Sequence, residues 1–204
     1  MNDDDSKKNL KHKKAMEKQK EKVDVSIAGA NEARGVSILL TGNGKGKTSS
    51  AFGMAIRALG YDHKIGIVQF IKGQQLSGEE VYIKNSCPSV FFYQMGTGFT
   101  WNTQDREADI VAAKKTWLQA KKILSDESID LVILDELTYM LSYDYLPEKE
   151  VIEAICNRPL EQSVVVTGRG GGKLLKSVMD TISDVKEVRH GFNAGIQARK
   201  GVDY

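Results

Sequence analysis

The chain has 204 residues, 41% of them hydrophobic and 27% charged, with 29 Lys and Arg against 27 Asp and Glu. Length and composition suit one compact domain with a substantial core. No stretch approaches the roughly 18 consecutive apolar residues of a membrane span, and the start MNDDDSKKNLKHKK lacks the apolar segment of a signal peptide. A cytoplasmic protein with no membrane partner is expected. Cys87 and Cys156 have no metal-ligand spacing and read as two separate reduced thiols. Residues 1–24 hold eight lysines against six acidic residues, and the rest of the chain holds 21 of each. The domain has no overall basic bias, so no nucleic-acid partner is expected.

In chain order, residues 1–24 offer few apolar anchors and read as a disordered or conditionally helical tail. A first strand is predicted at Val36–Leu40 and a first helix at Lys47–Leu59, ended by Gly60. Lys64–Phe70 suits a buried second strand, Glu79–Lys84 a short helix, and Val90–Gln94 a third strand. A glycine-broken loop with two large aromatic residues follows at Met95–Asn102. The helix predicted over about 104–124 has an apolar stripe of Ala108, Val111, Ala112, Lys115, Leu118, Ala120 and Ile123. Leu131–Leu134 forms a strand ending at Asp135-Glu136. Tyr139, Tyr143, Tyr145 and Leu146 mark a partly ordered active-site or interface segment. Pro147 opens a helix to about Asn157, Ser163–Val166 is a buried strand, Leu174–Met179 a short helix, and Val185–His190 a final central strand. Strands alternating with helices at this spacing indicate an α/β fold, with a mainly parallel sheet covered on both faces.

Ligands of such sheets sit outside the C-terminal ends of the strands. There the chain places Thr41–Thr48, Gln69–Gly73, Met95–Trp101, Asp135–Glu136 and Thr167–Arg169. The run TGNGKGKT lies between strand and helix, the context of a phosphate-binding loop. Its glycines let backbone N–H groups converge, and the helix N-terminus leaves those donors free for an anion. Lys47 reaches phosphate oxygens and Thr48 helps hold magnesium. The usual pattern has glycine five residues before the Gly-Lys pair; here that position is Thr41, Gly42 comes one residue late, and Lys45 is an extra loop lysine. Asp135 is the acidic residue expected near magnesium, directly or through water. Glu136 either coordinates as well or activates water. Arg169 either stabilises phosphate charge or forms a structural salt bridge, and His190 reads as structural. Phe99 and Trp101 suit a broad, flat, apolar ligand surface, with core filling as the alternative.

The segments TGNGKGKTSSAFG, VQFIKG, GTGFTW, VILDELTYM, TGRG and KGVDY closely resemble the P-loop type of ATP:corrinoid adenosyltransferase, the cobalamin adenosyltransferases of bacterial cobamide synthesis and salvage. The resemblance runs from about Glu32 to Tyr204, and the late glycine of the loop is part of it. It implies a P-loop NTPase-like, RecA-like three-layer fold over residues 32–204, with residues 1–31 as a charged tail and possible helical lid. It also implies that Co(I) of a reduced corrinoid attacks C5′ of ATP, giving an adenosylated corrinoid and inorganic triphosphate. Thr41, Gly42, Asn43, Gly44, Lys45, Gly46, Lys47, Thr48, Ser49 and Arg169 would then hold ATP, its triphosphate reversed relative to ordinary P-loop ATPases. Thr48 with Asp135 or Glu136 would serve Mg2+. Phe99 and Trp101 would press on the corrinoid's lower face and displace its axial base. Lys47, Thr48, Phe99, Trp101 and Glu136 are the expected catalytic residues. A homodimer, a reduced flavoprotein as electron donor and no bound redox group are further implications. A P-loop ATPase or small-molecule kinase shares Lys47, Thr48 and Asp135 but releases phosphate or a phosphorylated product. A RecA-like nucleic-acid module would need a basic or aromatic strand-binding loop.

Overall fold

The computed structural model describes residues 3–71, 76–96 and 105–204, and the chain divides into two units, Met1–Ala33 and Arg34–Tyr204. The first contains α1 (Asp3–Gly29), whose described side chains are all exposed. Its Lys, Glu, Gln, Met and Ala residues favour helix intrinsically, so helical propensity rather than a buried face accounts for it. It continues five residues beyond the lysine-rich stretch.

The second unit runs β1 (Ser37–Thr41), α2 (Lys47–Leu59), β2 (Ile65–Gln69), α3 (Gly78–Ser86), β3 (Phe91–Gln94), α4 (Arg106–Leu124), β4 (Leu131–Asp135), α5 (Leu137–Ser142), α6 (Glu148–Cys156), β5 (Ser163–Thr167), α7 (Lys173–Val178) and β6 (Thr181–Asp184), then a 3-10 turn at Gly191–Ala194. The six strands form one sheet in the order β3-β2-β4-β5-β1-β6. All five pairings are parallel. Side chains alternate across the pleat, so each inner strand feeds two cores. Leu39, Val132, Leu134, Val164 and Val166 pack with Trp117, Ala120 and Ile123 of α4 and Val151 and Ile155 of α6. Leu40, Ile67, Ile133 and Val165 pack on the opposite face with Ala51, Phe52 and Ala55 of α2 and Ile83 of α3. Helices therefore cover both faces, as the near-continuous apolar strands require.

Two expectations are corrected, the final strand and the buried face of α4. The final strand is Thr181–Asp184, not Val185–His190. It is an exposed edge of polar composition, so no apolar run announces it. Val185 instead crosses the turn after β1: its N–H donates to Thr41 O at 2.8 Å, and its carbonyl accepts from Gly44 N at 2.7 Å. The buried face of α4 is Asp109, Ala113, Thr116, Trp117, Ala120, Ile123 and Leu124, while Val111 and Leu118 are 66% and 53% exposed. Trp117 sets this rotation, since its ring packs against Phe70 and its indole N–H donates to Glu150 at 2.9 Å. The tyrosine-rich segment after Glu136 begins with a helix, α5, too short for its period to show in sequence.

One polar knot closes the sheet's end. Asp180 accepts both guanidinium branches of Arg34, at 2.9 and 2.7 Å, and the Ser37 N–H and hydroxyl, each at 2.8 Å. The Arg34 hydrogen bonds, followed by those from Ser37, hold its carboxyl well below the usual carboxylate range. Asp180→Asn should therefore lower stability near neutral pH by roughly 1–2 kcal/mol. Because the folded-state pKa is depressed, this stabilisation exists above the ordinary Asp range and disappears as pH falls through the folded pKa. Thermal melting of both proteins should show the difference at pH 7 and its narrowing in strong acid.

Candidate active site

The C-terminal ends of β1, β4 and β5 converge on one cleft. Its volume is about 440 Å3, and its lining includes Asn43, Gly44, Lys45, Gly46, Lys47, Thr48 and Ser49, with Glu136, Tyr139 and Arg169 opposite. The turn after β1 takes its shape from close backbone approach. Gly42 has φ 99°, and a side chain there would meet Asp184 and the Val185 backbone; one at Gly44 would meet Val185 and Lys186. Gly46, at φ 111°, occupies the left-handed region and caps α2 without a side-chain hydrogen bond, leaving the first-turn N–H groups open to a ligand.

Lys47 is buried, and its ammonium donates to Gly44 O at 2.8 Å. Desolvation lowers its pKa, partly opposed by the negative charge of Glu136. Thr48 Oγ1 donates to Asp135 Oδ1 at 2.9 Å, and Ser49 Oγ to Glu79 Oε1 at 3.0 Å. Thr41 Oγ1 is occupied elsewhere, donating to Gly170 O at 2.7 Å. Lys45 forms an ion pair with Asp203 at 2.9 Å.

Asp135 lies behind Thr48, 2% exposed. Besides Thr48, it accepts from Thr167 Oγ1 at 2.7 Å and Gln69 Nε2 at 2.9 Å. Burial raises its pKa, against the pull of these three donors. Glu136 follows at φ 58°, strained for a side chain of its size, with its N–H on Thr167 Oγ1 at 2.9 Å. Its Oε2 is buried without a hydrogen-bond partner among the described residues. Desolvation, then repulsion from Asp135, pushes its pKa up to about 7 although Lys47 and Arg169 pull it down.

Asn43–Ser49, Glu136 and Arg169 thus share one cleft, Asp135 stands directly behind it, and Thr41 and Gly42 support the loop from beneath. Phe99 and Trp101 lie outside the described residues. Sequence reasoning gave Glu187 and Asp203 no role and read His190 as structural, yet all three complete the cleft from the C-terminal segment; it placed Gln69 and Thr167 at ligand-facing strand ends without naming them as donors to Asp135. The available signals were VQFIKG, TGRG and KGVDY, which contain Gln69, Thr167 and Asp203.

Comparison with known proteins agrees across the chain. The family model described as ATP:corrinoid adenosyltransferase BtuR/CobO/CobP matches residues 33–204. The corrinoid adenosyltransferase of Escherichia coli (strain K12) is 47% identical over 194 residues, covering 95% of this chain and 98% of that protein. That of Pseudomonas aeruginosa is 46% identical over 197 residues, covering 97% of each. The Sinorhizobium sp protein of the same name is 37% identical over 196 residues, with 95% and 92% covered. With the phosphate-loop cleft at its centre and full-length similarity around it, this chain belongs to the ATP:corrinoid adenosyltransferase family.

Proposed function

We infer that this chain transfers the 5′-deoxyadenosyl group of ATP to the Co(I) centre of a reduced corrinoid, releasing inorganic triphosphate. The observation that carries the reading is the phosphate-loop cleft, with Thr48 on Asp135, in a chain similar over its whole length to corrinoid adenosyltransferases. The electron pair of Co(I) forms the Co–C5′ bond, and the C5′–O bond breaks with its pair leaving on triphosphate. The protein's task is to stabilise that growing negative charge. Lys47, already desolvated, the open N–H groups of the loop and Arg169 supply positive potential around it.

The donor set fits magnesium. Thr48 hydroxyl, the Asp135 carboxylate and Glu136 Oε2, which has no hydrogen-bond partner among the described residues, are hard oxygen donors beside a phosphate cradle, and Mg2+ typically takes one or two carboxylates with phosphate and water. Thr48 with Asp135 or Glu136 would hold it, and its charge would neutralise the triphosphate. The RecA-like assignment is supported by β5 standing between β1 and β4. Phe99 and Trp101 are read as the surface that presses on the corrinoid and frees cobalt of its lower axial base. We further read the enzyme as cytoplasmic and homodimeric, served by a reduced flavoprotein, with residues 1–31 as a charged tail able to act as a lid. Among the described residues, no helix is long and apolar enough to cross a membrane.

Incubation with ATP and chemically reduced corrinoid, with products resolved by mass, tests the reaction; triphosphate is expected, and phosphate alone would indicate an ATPase. Lys47→Ala should weaken MgATP binding in calorimetry and reduce turnover by roughly a hundredfold or more. Glu136→Gln tests the strained carboxylate. A raised folded-state pKa favours the protonated form, so the ligand-free wild type should lose stability as pH rises from about 4.5 to about 7. The glutamine variant should lack that loss and be more stable at pH 8 by about 2–3 kcal/mol, the difference closing in acid, as thermal melts across pH would show. Phe99→Ala and Trp101→Ala should retain ATP binding and convert free Co(I) corrinoid, yet fail when the assay starts from Co(II) cobalamin and a weak reductant. Equal failure from both oxidation states would place these residues in the transfer step instead.

A further inference from the structure

The segment VQFIKG carries Gln69, for which adenosyl transfer as described assigns no task. Gln69 ends β2 and is 7% exposed. Its side-chain nitrogen donates to Asp135 Oδ2 at 2.9 Å, and its side-chain oxygen accepts from Gln94 Nε2 at 2.7 Å. Gln94, at the end of β3, in turn accepts from Lys84 Nζ at 3.2 Å. Lys84 is itself located by Glu80 Oε1 at 2.6 Å and by the Phe92 ring, whose centroid is 4.8 Å away.

The direction of this relay follows from its Lys84 end. An ammonium only donates, so Gln94 must turn its oxygen to Lys84 and its nitrogen to Gln69, which leaves the Gln69 nitrogen facing Asp135. The backbone repeats the path: Phe70 N–H donates to Asp135 O and Met95 N–H to Gln69 O, each at 2.9 Å. At the far end, Asp135 Oδ1 receives Thr48 and Thr167. Among the described residues, its Oδ2 receives Gln69. Without that donor the carboxylate plane is free to turn, and the oxygen facing Thr48 is no longer fixed.

We propose that Gln69, held by Gln94 and Lys84, is a positioning residue of the nucleotide site: it sets the plane of the Asp135 carboxylate so that Oδ1 stays turned to Thr48, for a magnesium-bound nucleoside triphosphate. The proposal rests on the reading of Thr48 and Asp135 as that site. It makes the ends of β3 and β2 part of the nucleotide machinery although neither carries a phosphate-loop residue. Partners one step behind the groups that serve a metal act in this way by fixing orientation.

The test uses the full chain without corrinoid. Calorimetry compares MgATP with ATP in excess chelator for wild type, Gln69→Leu, Gln94→Leu and the double variant, and melting without ligand reports folding. Gln69→Leu, similar in volume but without the amide, should weaken MgATP binding about tenfold while ATP in chelator binds as to wild type. Gln94→Leu should show a smaller loss, and the double variant should be no worse than Gln69→Leu, because Gln94 acts through Gln69. Wild-type MgATP affinity in Gln69→Leu, equal weakening with and without magnesium, or additive losses in the double variant would each overturn the proposal. If Gln69→Leu fails to melt cooperatively, Gln94→Glu decides: it can still pair with Lys84 but offers Gln69 no donor. It should reproduce the Gln94→Leu loss, and wild-type affinity would overturn the role. Failure of the functional reading is distinguishable, because it is read in the separate incubation with ATP and reduced corrinoid: normal MgATP binding here with no adenosyl transfer there would refute that reading and leave the role of Gln69 intact.

Discussion

A carboxyl group is tolerated inside a protein only when its oxygens are engaged, and Asp135 imposes that condition on the segments around it. Thr48 comes from the first turn of α2, Thr167 from the end of β5 and Gln69 from the end of β2. The strand order explains how they meet: β2 and β5 flank β4, while the loop after β1 reaches across β5. A different order would leave Asp135 short of donors. The topology and the polar centre are therefore one requirement seen at two scales.

Around that centre the charges are left incompletely matched. Glu136 is forced into the left-handed region where β4 passes directly into α5, and its buried oxygen has no hydrogen-bond donor among the described residues. Lys47 rests on a backbone carbonyl rather than on an anion. An anionic ligand accompanied by a cation suits both groups at once. Strain and desolvation held in the protein's own fold are the structural form of preorganisation.

The elements that sequence revealed best are those whose local chemistry is self-sufficient. The boundaries of α2 follow from Gly46, Gly60 and the apolar positions between them, and the inner strands from runs such as LVIL and VVV. The edge strand β6 was missed because TISD acquires its conformation from pairing with β1, not from its own pattern. The face of α4 was misassigned because apolar residues lie all around it, and tertiary contacts of Trp117 choose among them. The phosphate loop was legible as a contiguous run. Gln69 and Thr167 were legible as members of ligand-facing strand ends, but strand position names a segment and not the hydrogen bond each side chain makes to Asp135, and Asp203 lies in a C-terminal stretch with no period of its own.

The crossing of Val185 over the phosphate loop has a consequence for how the molecule comes into being. Gly44 N–H bonds to Val185 O, Lys45 pairs with Asp203, and the glycines beneath are fitted to residues 184–186. The loop is among the first parts of the domain to be synthesised, yet its mould is among the last. A nascent chain that has already formed β1 and α2 still lacks the surface that gives the loop its final shape. Long-range closure of this kind is slow relative to local helix formation. The final shape of the phosphate loop thus depends on residues 184–186 and 203 folding back onto it.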